Sequence, residues 1–194
     1  FIISIVISYI FVNKFGVSYL LSLPLFIFSL FLFFVTIRDF FGKNINISQK
    51  ISHFGFSLLI LSILLNGVLA KEHSSNMRVG DEIKFLDKMI QFQNIEVIKK
   101  QNYQTLIGKF NIVDENNSLS LKPEIRIYDQ PETITSEADI SSTIFADNFL
   151  VFNIIKNDGF YNVRYQIKPF MIWIWISVLL ISLGGILSLK KKNV

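Results

Sequence analysis

The sequence predicts an integral membrane α-helical protein with an inserted all-β external domain, an antiparallel barrel or sandwich. Three observations carry this. Ile51 to Ala70 (ISHFGFSLLILSILLNGVLA) is twenty residues without Asp, Glu, Lys or Arg, long enough to cross a bilayer as a helix. Further apolar runs lie on either side of it in the chain, at residues 17–37 and from Phe170 to Leu189. Between them, residues 72–168 change character and alternate apolar with polar positions, the period-2 pattern of half-buried strands. The 51% hydrophobic content, 20 phenylalanines and mean hydropathy of +0.46 are therefore concentrated in the runs rather than spread as in a soluble domain.

Residues 1–12 are apolar or small and suit the end of a span. The chain opens on Phe1 inside this run, and it reads as the C-terminal piece of something longer or as one chain of a split protein. No basic region precedes the run and no small-residue cleavage site follows it, so it is a poor signal peptide. Asn13, Lys14 and Gly16 break it. Span 17–37 carries Pro24, tolerated where neighbouring helices re-satisfy the freed backbone, and ends at Arg38-Asp39. Gly42, Lys43, Asn44 and Asn46 form a polar loop, with Ser48 as the expected N-cap of the next helix. That helix, span 51–70, places His53 in its first turn.

Six strands are expected in the external domain: Lys88–Lys99, Gln104–Val113, Leu119–Tyr128, Ile134–Ile140, Phe149–Ile155 and Tyr161–Ile167. Asp114-Glu115-Asn116-Asn117 and Asn157-Asp158-Gly159 read as hairpin turns. Pro169 opens the C-terminal segment 169–194, a helix with Trp173 and Trp175 near its outer end, as in an interfacial aromatic belt. Lys190, Lys191 and Lys192 close it, and Gly184-Gly185 within it reads as close helix packing.

The net charge of +4 is a matter of topology rather than of nucleic-acid binding. Arg38, Lys43, Lys50 and the three terminal lysines fall on one side if the spans alternate, and Lys14 alone on the other. The positive-inside rule then puts the β domain outside and His53 toward the inner face. With no cysteine, the chain forms no disulfide and has no thiolate metal site.

Two histidines are present. His53 is ionisable within an apolar helix, which is costly enough to mark a functional site, although a membrane-edge histidine bonded to a neighbouring helix or water has the same appearance. His73, about 30 Å further along if the helix continued, cannot share a metal ion with it and reads as a solvated interface residue. No metalloprotease, Ser-His-Asp or phosphate-loop pattern occurs. Leu121 to Tyr128 sets Glu124 and Arg126 on one face of a strand, a surface ion pair worth less than about 1 kcal/mol.

Taken together, His53-Phe54-Gly55, Arg78-Val79-Gly80-Asp81, Pro123-Glu124-Ile125-Arg126-Ile127-Tyr128, Thr133 to Ala138, Asp147 to Val151 and Lys168-Pro169 before Trp173-Ile174-Trp175 resemble the C-terminal part of the CcmF family, haem lyase subunits of cytochrome c maturation. The paralogous haem lyase of nitrite reductase assembly shares this end. The resemblance implies a membrane subunit that helps attach haem to apocytochrome c on the outer side, and a transmembrane haem b held by two histidines. One of the two matches His53, which thereby becomes the expected axial ligand of the haem iron. As His73 cannot serve, the second ligand is expected from another part of the complex. The implied partners are the rest of the haem lyase, a haem chaperone, apocytochrome c with its thiol-reducing partner, and the lipid bilayer, with no nucleic acid. The implied location is the mitochondrial or bacterial inner membrane, with the β domain facing the intermembrane space or periplasm. The Phe-, Ile-, Asn- and Lys-rich composition suits an organelle-encoded piece. The rival readings are an assembly and docking module that binds no haem, and a transporter fragment with His53 in a proton path. The absence of an intramembrane acid to pair with His53 argues against the latter.

Overall fold

A computed structural model describes residues 1–16, 19–42, 45–114, 117–155 and 159–192. The chain divides into two compact units: a helical one (residues 1–70, 143–146 and 168–194) and a β one (residues 71–142 and 147–167).

The helical unit contains α1 (Ile2–Phe15), α2 (Tyr19–Phe41), α3 (Ile47–Leu69) and α4 (Met171–Lys192). Among the described residues three stretches, Leu21–Phe41, Ile47–Leu69 and Met171–Leu189, are long and apolar enough to cross a membrane. Helix α1 stops at Gly16, which adopts φ 62° and returns its N–H to the Val12 carbonyl, a left-handed cap that glycine takes without steric cost. Its buried residues, Ser4, Ser8 and Val12, recur every fourth position and form one narrow face. The Phe11 ring packs on Phe26 of α2 at 4.7 Å.

The inner helices are joined by hydroxyls and close backbone approach. Thr36 of α2 and Ser57 of α3 share a buried hydrogen bond of 2.7 Å, and Phe54 lies against Phe33 and Phe40. On the other side of α3, a Cβ added at Gly55 would come within 2.9 Å of Leu180 Cβ and 3.0 Å of the Ser177 carbonyl oxygen. One added at Gly184 would strike Ser52 Oγ and come within 2.7 Å of the Ser48 carbonyl oxygen. Small residues and hydroxyls at the seam let helices associate where lipid removes the hydrophobic drive between them. The expected packing role of Gly184-Gly185 belongs to Gly184 alone, since Gly185 has open space around its α-carbon.

Helix α3 begins at Ile47 with Asn46 as its N-cap residue, so Ser48 is inside the helix and His53 is in its second turn, not its first. The start could shift one turn earlier because Lys50 does not bury a bare charge. Its ammonium donates to the carbonyls of Phe40 (2.9 Å) and Gly42 (2.6 Å), where α2 leaves carbonyls without helical partners. The neighbouring Lys43 and Asn44 lie outside the described residues.

Among the described residues the β unit is an antiparallel sandwich of ten strands rather than the six expected: β1 (Lys71–Met77), β2 (Glu82–Phe85), β3 (Lys88–Lys99), β4 (Tyr103–Val113), β5 (Ser118–Leu121), β6 (Glu124–Asp129), β7 (Glu132–Glu137), β8 (Asp139–Ser142), β9 (Ala146–Ile154) and β10 (Tyr161–Pro169). One sheet has the order β1-β10-β9-β8; the other runs β2-β3-β4-β6-β7, with β5 also on β4. The expected strand Leu119–Tyr128 is two because Pro123 has no N–H for the ladder. β5 pairs with one end of β4 and β6 with the other, and the Pro123 carbonyl between them accepts from Gly108 N–H. The expected strand Ile134–Ile140 is also two. Its first part pairs with β6 and its second with β9 in the opposite sheet, so the chain changes sheets at Ala138. Of the expected turns, Glu115, Asn116, Asn157 and Asp158 lie outside the described residues. Asp114 and Asn117 bond to each other across the first, by backbone and by the Asp114 carboxylate.

The core is aromatic. Phe92 stacks on Phe110 with centroids 4.3 Å apart, Phe152 from the facing sheet meets both edge-on, and Ile90, Ile125, Leu150, Val163 and Tyr165 are among the residues packed with them. Gly108 makes this possible, since a Cβ there would come within 2.7 Å of Phe110 and 3.0 Å of Phe152. A bulge after Phe92 resets the alternation and bends the long β3.

Candidate functional site

Helix α3 sorts its side chains by face. Gly55, Leu58 and Ser62 are buried, as are Ser57 and Leu61, and together they occupy the sides toward α4 and α2. His53 stands on the remaining side and is exposed. Among the described residues nothing hydrogen-bonds to its imidazole. Gly55, two residues on, points about 200° away around the helix, so the close approach to α4 fixes where His53 must face.

Two clefts have His53 in their walls. One, of about 430 Å³, is polar and lies between the start of α3 and the far half of α4, lined by Ser48, Gln49, Ser52, Gly184 and Ser188 among others. The other, of about 280 Å³, lies between α2 and α3 and is lined by Leu32, Val35, Thr36, Asp39 and Phe56. Asp39 corrects one expectation. It belongs to the apolar stretch Leu21–Phe41 and shares a cleft with His53, so an acid does lie beside the histidine within the span. The sequence pattern ends this span at Ile37 and so places the acid beyond it, whereas α2 continues through Asp39 to Phe41.

The two clefts differ in character. A neutral imidazole presents one lone pair, the α2 side offers aliphatic and aromatic contact, and the α4 side offers hydroxyl and amide groups. No group of three or more His, Cys, Asp or Glu residues able to hold a metal ion occurs among the described residues.

His73 is not the solvated interface residue expected. It lies on β1, half-buried, with its ring stacked on Phe85 at 5.2 Å and 22°. The other singled-out segments build the β unit. In Arg78-Val79-Gly80-Asp81, Arg78 N–H donates to the Asp81 carboxylate at 2.7 Å and Gly80 takes φ 96°, a turn that hydrogen-bonds to Phe92 in β3. Glu124 and Arg126 form the expected ion pair at 3.0 Å, and this hydrogen bond holds the guanidinium above its ordinary value. Tyr165 donates to Asn148 Oδ1 at 2.6 Å, and burial raises its phenol well above the ordinary 10.0.

Trp173 and Phe170 mark the start of α4. Phe170, the residue before the helix, adopts φ 62°, unusual for a bulky side chain and costing about 1–3 kcal/mol. Its N–H donates to the Phe145 carbonyl at 2.8 Å. Trp173 Nε1 donates to the Ile144 carbonyl at 2.9 Å, and Asn66 near the end of α3 donates to the Pro169 carbonyl at 2.6 Å.

Comparison with known proteins bears on all of this. Residues 68–169 match the family model described as the CcmF C-terminal beta-sandwich. The chain is similar to the cytochrome c-type biogenesis protein CcmF of Pseudomonas aeruginosa, 24% identical over 146 residues, covering 75% of this chain and 22% of that protein. It is 29% identical over 149 residues to the cytochrome c-type biogenesis protein ccl1 of Rhodobacter capsulatus, again 75% and 22%. An uncharacterized mitochondrial protein, ymf2 of Marchantia polymorpha, is 32% identical over 88 residues, which are 43% of this chain and 27% of that one. The chain thus spans about a fifth to a quarter of the length of these relatives. A solved structure, cytochrome c heme lyase CcmF, superposes with a TM-score of 0.67 over 95% of this chain and 33% of that one, at 14% identity, which speaks to the fold alone.

Proposed function

Because the chain belongs to the CcmF family through its C-terminal β-sandwich, we propose that it is part of a membrane subunit of the haem lyase of cytochrome c maturation. In this reading α3 ligates a transmembrane haem b through His53, and the sandwich docks the partners of haem attachment on the outer side. The observation that carries it is the imidazole itself. It is an ionisable side chain in a membrane-spanning helix, with no bonding partner among the described residues, aimed outward between an apolar and a polar cleft. A merely structural histidine at that depth would have its polar atoms satisfied within the bundle.

The chain's own residues account for one half of such a site. His53 would supply a ring nitrogen to the iron, Gly55 and Gly184 bring the helix pair behind it close together, and Lys50 is tied to the end of α2. When bound, haem supplies an iron that accepts the imidazole lone pair and can carry an electron. A second protein ligand to that iron would come from another segment of the complex, because His73 lies on β1 of the other unit. The Lys and Arg distribution supports an outward-facing β unit, in the periplasm or the intermembrane space, within a bacterial or mitochondrial inner membrane.

The test is optical. At matched protein levels in the assembled complex, His53→Ala should abolish or strongly reduce the haem b bands of the reduced-minus-oxidised spectrum. His73→Ala should leave them close to wild type. An unchanged spectrum for His53→Ala removes the assignment and favours an assembly module that binds no haem.

A further inference from the structure

The turn between β8 and β9 is built against the usual rules for turns. Its residues are Thr143, Ile144, Phe145 and Ala146, whereas water-facing turns favour Gly, Asn, Asp, Pro and Ser because these fit the backbone and solvate well. Here the two tip positions are large and apolar, 61% and 73% exposed for Ile144 and Phe145. The turn is firmly closed: Thr143 N–H donates to the Ala146 carbonyl at 3.0 Å, Thr143 Oγ1 donates to the same carbonyl at 2.8 Å, and Ala146 N–H donates back to Thr143 Oγ1 at 3.0 Å.

Its depth is fixed as well. These four residues cluster with the helical unit although they interrupt the β chain. Phe145 accepts from Phe170, the residue immediately before the α4 span, and Ile144 accepts from the Trp173 indole in the first turn of that span. Both bonds are made by the backbone carbonyls of the tip and leave its side chains free.

We propose that this turn is a membrane anchor, with Ile144 and Phe145 inserted among the lipid headgroups and upper acyl chains beside the start of α4. The bilayer is the occupant the geometry favours, because the turn is bonded to residues at the very point where the chain enters the span. Apolar side chains held at that level reach the boundary layer, where tryptophan rings also settle. With Asp147 following closely and no Lys or Arg within the turn, attraction to anionic lipid is not the drive; apolar insertion is. The anchor would hold the β8–β9 connection against the membrane, whatever binds His53.

The chain has no cysteine, so single sites can be labelled. Ile144→Cys and Phe145→Cys, each carrying an environment-sensitive fluorophore, would be compared in the full chain in lipid nanodiscs with Asn102→Cys in the β3–β4 turn. The expected result is blue-shifted emission at 144 and 145, quenched several-fold more by a nitroxide on the lipid than by aqueous iodide. A nitroxide high on the acyl chain should quench better than one at its end, matching insertion of about 5–10 Å. Iodide quenching equal to that at Asn102 would place the tip in water and overturn the proposal. Protection from both quenchers would mean a protein contact and overturn it equally.

Discussion

The two units are held together by different means. The β unit closes on itself: Phe92, Phe110, Phe152 and Tyr165 are each no more than 1% exposed. The helical unit is sealed only along its seams, where Gly55, Gly184, Ser57 and Thr36 bring helices into contact. Its outer faces carry exposed Phe28, Phe56, Leu179 and Ile186 and, among them, an imidazole with no hydrogen-bond partner among the described residues. A surface of that kind is complete only in lipid or against other helices. The sandwich is thus suited to being a rigid platform, and the helical unit to being one wall of a larger site.

The sharpest way to break this comparison is to damage one unit and watch the other. Phe152→Ala removes the ring that joins the two sheets and should cost about 3–5 kcal/mol. Hydrogen exchange read by peptide should accelerate in β3, β4 and β9 and stay unchanged in α2 to α4. Equal acceleration in the helices would show that the units do not stabilise themselves separately.

The converse cut is Gly184→Ala. The added methyl meets Ser52 and the Ser48 carbonyl, which should cost about 1–3 kcal/mol by overpacking and speed exchange at the start of α3. Gly185→Ala, with open space around it, should be neutral or slightly stabilising through helix propensity. If the two adjacent variants behave alike in a detergent melt, the seam is not where the geometry puts it.

How much of this was legible in the sequence follows the same division. Helix identity was legible because hydrocarbon tolerates few polar residues, so 17–37 and 170–189 read directly as apolar runs, although α2 continues past Arg38-Asp39 to Phe41. Helix α3 hid its first turn because Lys50 looked like a loop residue, and only the carbonyls of Phe40 and Gly42 explain its presence inside a helix. In the β unit, β3 and β4 were visible through long alternation. β1 (KEHSSNM) has a single apolar residue, Met77, and β2 is four residues long, so their pairing is set by tertiary partners. The switch of sheets at Ala138 is likewise invisible in a pattern that continues across it. At the candidate site His53 was legible as an anomaly of composition; Asp39 was not, because its proximity depends on how α2 and α3 turn back on each other.

A smaller effect separates the units by pH. Burial holds the Tyr165 phenol above its ordinary value, so the folded β unit keeps a proton that the unfolded chain releases near pH 10. The stability this contributes is fully present below about pH 10 and is lost as pH rises through that point toward the folded value, at a limiting slope of about 1.4 kcal/mol per unit. Denaturant midpoints followed by far-UV circular dichroism should fall from pH 9 to 11. Tyr165→Phe should flatten that fall, while losing about 1 kcal/mol at neutral pH with the Asn148 bond. An equally steep fall in the variant would assign the alkaline loss to other groups.

The smallest expected effect tests the outside of the platform. Glu124 accepts from Arg126 at 3.0 Å and from Thr105 at 3.3 Å, yet stands opposite Glu137 across the β6–β7 ladder. Replacing it by glutamine loses an ion pair on a partly solvated face and relieves a like-charge neighbour. The two terms oppose each other, so Glu124→Gln should lower stability by less than about 1 kcal/mol. The difference should vanish at about 1 M salt, where screening acts over roughly 3 Å. A loss that is large and insensitive to salt would mean that this face is desolvated, so that the Glu124–Arg126 pair belongs to a buried contact and the sandwich is not complete by itself.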